Sequence, residues 1–205
     1  MNCRWTGSIA AFALLLGLAG LPGARADVTH DLVQAYLDDL GAVDYTIDPI
    51  TDDYVASIFP DIAWFSVWFP QYPIVVEPPK GLAESNVFLV VNDTVLYVTS
   101  PKELEAVFAD ALPLVANADE AMDATRTWLR LSEEFSADGY FEFGEPQAEI
   151  RPVVNAYTQW YVRGHVRVTD GGRGGIHVNM VFNPLGELAS IQESRRVIVG
   201  IRPLR

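Results

Sequence analysis

Cysteine is all but missing. The one residue, Cys3, stands ahead of an apolar run over residues 9–21 and the small-residue stretch Ala24-Arg25-Ala26. With Arg4 before the run and no acid near it, this is the pattern of a secretory signal peptide cleaved after Ala26. A mature chain from Asp27 then holds no thiol, which excludes disulfides, a cysteine nucleophile and thiolate metal ligands. Long apolar runs are also missing. Residues 9–21 fall short of the roughly 18 needed for a spanning helix, so no membrane span is expected after cleavage. The mature protein is predicted to be secreted or periplasmic.

Basic charge is scarce as well. Lysine occurs only at Lys80 and Lys102, and the whole chain carries 14 bases against 27 acids, a net charge of −13. That balance argues against nucleic acid or anionic lipid as a partner, since both select basic surfaces. The few cations are unevenly placed. Residues 27–149 hold 24 acids against four bases, whereas residues 150–205 hold eight arginines against Asp170, Glu187 and Glu193. Either the two parts neutralise each other within the fold or the basic part meets an acidic partner.

Metal and phosphate motifs are missing too. Only three histidines occur, and no H-E-x-x-H, H-x-x-x-H, G-x-S-x-G or G-x-x-x-x-G-K-[ST] pattern is present, so no metal or cofactor is expected. Asn117 and Asp119 open like a calcium loop, but Met122 replaces the required glycine and Trp128 the bidentate acid. The run Asp170-Gly171-Gly172-Arg173-Gly174-Gly175 has no helix behind it and reads as a turn, with a weak anion-nest alternative.

What is present is periodicity. Leu32, Val33, Tyr36, Leu37 and Leu40 predict a helix stopping at Gly41. Ser100-Pro101-Lys102-Glu103 is a capping box that opens a second, and Asn117 with Glu120 opens a third, running through Trp128 and Leu131 to Asp138-Gly139. Val87–Val91 and Thr94–Val98 flank Asn92-Asp93 as a tight hairpin; Asn92-Asp93-Thr94 also spells a glycosylation acceptor, poorly placed in such a turn. Residues 141–143, 158–169, 176–182 and 188–199 read as strands in antiparallel succession. The chain is therefore expected to be one α+β domain over 27–205: an antiparallel meander sheet with a long helix packed on one face, plus an N-terminal helix/hairpin sublobe. The seam at 113–117 divides sublobes 27–113 and 117–205.

Two stretches carry the site candidates. In YVRGHVRVT, Val162, Gly164, Val166 and Val168 alternate with Arg163, His165 and Arg167. After the turn, Ile176, Val178, Met180 and Phe182 alternate with His177 and Asn179. Opposed residues in an antiparallel pair share a face, so His177 is expected across from Arg167 or Thr169. If Asn183 pairs with Gly186, His177 meets Gln192, Asn179 meets Ser190, and every cationic group of the three strands faces away from the core. Arg163, His165, Arg167, His177, Asn179 and Gln192 are then a ligand-binding face for an anionic small molecule or a protein, or simply a solvated surface. In AWFSVWF, both faces are apolar, so Trp64, Trp68 and Tyr72 are either buried between layers or a partner-binding segment.

The order of a long helix and then a meander, over residues 117–200, resembles the cystatin-like and nuclear-transport-factor-like layouts, a likeness of architecture that implies no function. The cystatin inhibitory signature Q-x-V-x-G has its nearest counterpart in Trp160-Tyr161-Val162-Arg163-Gly164. Tryptophan stands there in the glutamine position, in mid-strand, which argues against protease inhibition. The expectation is an exported, non-catalytic binding module. The alternatives are an extracytoplasmic enzyme with a pocket around His165 and His177, and an accessory subunit docking through residues 64–69.

Overall fold

The computed structural model describes residues 22–70, 76–82, 85–136, 141–153 and 157–199. The signal segment through residue 21, Tyr72 and the helix end at Asp138-Gly139 lie outside them. The chain is α+β, with two antiparallel sheets and the helices distributed around them.

The N-terminal sheet runs β1 (Thr46–Pro49), β2 (Ala63–Trp68), β3 (Val87–Val91), β4 (Thr94–Val98) in that spatial order. Its strands are apolar on both faces because both faces are covered. Helix α1 (Pro22–Asp39) sets Val33 and Leu37 among Phe65, Val67, Phe88 and Val90. Leu40, expected in that helical stripe, lies past the helix end and is exposed. The other face, with Trp64, Val87, Leu89 and Val98, meets α2 (Asp53–Ile58), α3 (Pro101–Ala111) and α4 (Ala118–Glu133). The β3–β4 turn carries Asn92 and Asp93 at φ 48° and 59°, the left-handed pair of a type I′ hairpin.

Both capping boxes form. Ser100 Oγ accepts from the Glu103 amide at 3.3 Å, while the Glu103 carboxylate reaches back to the Thr99 amide at 2.8 Å. Asn117 Oδ1 accepts from the Asp119 and Glu120 amides at 3.0 Å each, and Glu120 answers to the Ala116 amide at 2.7 Å. Each box satisfies amides that have no intrahelical partner.

The C-terminal sheet is built on β7 (Trp160–Asp170), β8 (Gly172–Phe182) and β9 (Leu188–Val199), with β5 (Glu142–Phe143) and β6 (Gln147–Arg151) sharing the outer edge of β7. Val162, Val166, Ile176, Val178, Met180 and Phe182 are buried beneath α4. One buried cluster runs from Trp64 and Phe59 through Phe108 and Trp128 to Phe182, so the two sublobes share a core. Edge-to-face rings at 5.2 Å (Phe59–Phe108) and 5.3 Å (Phe108–Trp128) carry it across the seam.

Three expectations about this sheet need correction. Residues 172–175 are not loop: the turn centres on Gly171, and Gly172 to Gly175 already belong to β8. The strands lie so close that a β-carbon on Gly174, at φ +105°, would sit 1.9 Å from the Arg196 carbonyl oxygen, and one on Gly175 would sit 2.1 Å from that of Val166. His177 consequently pairs with His165, not with Arg167 or Thr169. The β8–β9 register is also displaced by two residues, so that Asn179 meets Gln192 and His177 meets Ser194. Asn183 pairs with Glu187 instead of Gly186, and an irregularity beside Phe182 absorbs the extra residue.

Candidate functional site

Displacements of two residues preserve which side chains share a face, so the predicted polar face survives the changed register. Arg163, His165, Arg167, His177, Asn179 and Gln192 all project from the side of the sheet opposite α4. Strand β6 enlarges that face: Gln147 pairs with His165, Glu149 with Arg163 and Arg151 with Tyr161. The surface is thus laid out in rows, Gln147-His165-His177-Ser194 and Glu149-Arg163-Asn179-Gln192, with Arg151-Tyr161-Val181-Ser190 below them. Sequence reasoning missed β6 although its alternation is plain, polar Gln147, Glu149 and Arg151 around apolar Ala148 and Ile150.

The face is open. Arg163, Arg167, His177, Gln192, Ser194 and Arg196 are exposed, so the acidic N-terminal half does not cover it. Glu149 Oε1 lies 2.5 Å from Arg151 Nη2. Among the described residues no carboxylate lies within ion-pair distance of Arg163, Arg167 or Arg196. A groove of about 540 Å³ opens here, lined by Arg151, Pro152, Tyr161, Arg163, His177 and Asn179. The Tyr161 hydroxyl donates to Asn179 Oδ1 at 3.2 Å, which holds the groove floor together.

The two imidazoles stack across the strand pair, centroids 5.9 Å apart and planes inclined by 18°. Partial burial pushes the His165 pKa down; the positive charges of Arg167, His177 and Arg163 push it the same way, against a smaller upward pull from Glu149. The environment therefore disfavours a further positive charge where positive charge is already concentrated. Among the described residues no carboxylate lies within ion-pair distance of either ring.

No protein-family model, curated protein or solved structure matches this chain. Its function is therefore read from its own geometry. Among the described residues no helix is long and apolar enough to cross a membrane, and no three ligating side chains converge on a metal position.

The aromatic segment is placed differently from a docking surface. Trp64 is 2% exposed and sits in the core; Trp68 is half-buried, its indole N–H donating to Asp48 Oδ2 at 2.8 Å. One cation also departs from the expected face. Arg195 lies on the helix side of β9, opposite Ile176, with Nη2 2.6 Å from the Ser132 carbonyl and 3.1 Å from Glu193 Oε1. It meets the last carbonyls of α4, where the helix dipole favours positive charge. Glu193 completes the set by accepting from Trp128 Nε1 at 2.9 Å and from the Ser132 hydroxyl. Every charged group there has a partner, so the cluster reads as a fastening between helix and edge strand.

Proposed function

We propose that the protein is an exported, non-catalytic binding domain whose ligand is an anion carrying carboxylate, phosphate or sulfonate-type groups, held on the open face of the C-terminal sheet. The observation that carries this reading is the groove between Arg151 and Arg163, with His177, Tyr161 and Asn179 completing its lining. Among the described residues no carboxylate is bound to Arg163, whose planar fork of donors is suited to a bidentate oxyanion contact. With its Oδ1 held by the Tyr161 hydroxyl, Asn179 keeps its amide N–H groups as neutral donors for orientation. The burial of Trp64 weighs against docking through residues 64–69.

The test is a titration with a small alkane disulfonate, whose two charges do not change between acid and neutral pH. Amide shifts should cluster on β6, β7 and β8, and binding should weaken with added salt. Arg163→Ala should reduce affinity roughly tenfold to a hundredfold, the range for a lost charge-assisted hydrogen bond. Binding that perturbs only the N-terminal sheet, or that ignores Arg163, would sink the reading.

A further inference from the structure

The histidine pair adjoins the groove but only His177 lines it, which raises the question of what His165 does. Its ring lies directly across from His177 and parallel to it, at the centre of a field of cations. From β7 come Arg163 and Arg167, one step to either side; from β6 come Gln147, opposite His165, then Glu149 and Arg151. From β8 come Asn179 and Arg173, and from β9 Ser194, opposite His177, with Gln192 and Arg196. Glu149 is the single acid in these rows, and it is tied to Arg151. Helix α4 lies on the other face and contributes no charge here.

Imidazoles exchange protons within the range of pH that proteins meet, and two of them 5.9 Å apart oppose each other's protonation. With the face empty, a second proton would add to a surface already carrying several uncompensated guanidiniums. With an anion bound, each of those interactions is offset by an attraction. Resting on the anion-binding reading above, we infer that the His165–His177 pair makes ligand capture proton-coupled: a multiply charged anion binds together with protons, and its affinity rises as pH falls. The sign follows from linkage, since a ligand that favours the protonated pair must itself be favoured by protonation. His177 lines the groove and meets the ligand, and His165 is stacked directly against it. The ligand class narrows accordingly to a species with at least two negative groups, because a single charge is already matched by Arg163.

The coupling is measurable without knowing the natural ligand. The same disulfonate would be titrated calorimetrically at about pH 8 and about pH 5.5, at fixed ionic strength and in two buffers of different ionisation enthalpy, so that proton uptake is read directly. The expected result is an affinity higher at the acid pH by on the order of tenfold, as for one or two added charges near a surface-bound dianion, with net proton uptake. His165→Gln/His177→Gln should remove both the pH dependence and the uptake. That separates the pair from the general loss of negative charge on acidification, which the double variant retains. Equal affinity at both pH values without uptake, while Arg163→Ala still weakens binding, overturns the coupling and leaves the anion site standing. Absence of binding at both pH values overturns both.

Discussion

Gly164 is the residue on which the geometry of the sheet turns. It sits at the centre of β7 on the core side, where a β-carbon would lie 2.6 Å from Thr125 Cγ2, 2.9 Å from Val178 Cγ1 and 3.0 Å from Leu129 Cδ1. A glycine in a strand interior weakens the strand and marks a close approach; here the approaching element is α4. Its flanking residues, Arg163 and His165, point to the opposite side and belong to the polar face. Gly164→Ala should therefore cost about 1–3 kcal/mol, the usual penalty for overpacking a filled core, read from urea unfolding. If the variant unfolds at the wild-type urea concentration, α4 is not seated as described. Arg163→Ala, by contrast, alters an exposed side chain and should leave stability within about 0.5 kcal/mol while it weakens binding.

At the scale of elements, the most consequential joint is between α2 and α4. Arg130 of α4 is shared among Asp52, the N-cap of α2, at 2.8 Å, Glu145 at 3.0 Å, the Gly144 carbonyl at 3.0 Å, and Glu133 at 3.3 Å. One guanidinium serves three carboxylates, and Glu133 has the longest contact of them. Burial therefore dominates for Glu133 and pushes its pKa up to about 8, with Arg130's charge offsetting only part of the shift and Glu134 and Asp52 adding to it. A carboxyl whose pKa is raised on folding contributes stability below its unfolded value, near pH 4.5, and loses it as pH rises through about 8. Wild type and Glu133→Gln should accordingly melt alike near pH 4 and diverge as pH rises between 4.5 and about 8, and by about pH 9 the wild type should melt lower by on the order of 10 °C. A wild type that is the more stable of the two at pH 9 would show that Arg130 fully compensates the ionised Glu133, contrary to this assignment.

At the scale of the whole molecule, the charge segregation along the chain becomes a segregation in space. The acidic N-terminal part shares a core with the C-terminal part but leaves its basic face uncovered, so a net charge of −13 coexists with an open cationic surface. On the proposed reading, small or locally presented anions should bind in preference to long polyanions, which the remaining acidic surface repels. Among the described side chains of α1 the first buried one is Thr29, beyond the predicted cleavage point after Ala26. A chain beginning at Asp27 should therefore melt as the full-length chain does and retain disulfonate binding; a loss of several degrees would mean that residues 22–26 are part of the fold and not of a removable leader.

Local patterns were enough for the capped starts of α3 and α4, the Asn92-Asp93 hairpin and the face to which Arg163, His165, Arg167, His177, Asn179 and Gln192 belong. Capping and turn chemistry act over a few residues, and a strand's two-residue period is unchanged by a slip of two. Tertiary structure alone decided that His165 meets His177, that β6 brings Glu149 and Arg151 onto the same face, and that Arg195 turns inward to the end of α4. Those outcomes depend on which backbones can approach one another. Gly174 and Gly175 allow β8 to press against both neighbours, and the irregularity beside Phe182 resets the last strand. Such contacts join residues far apart in the chain, where neither periodicity nor composition carries a signal.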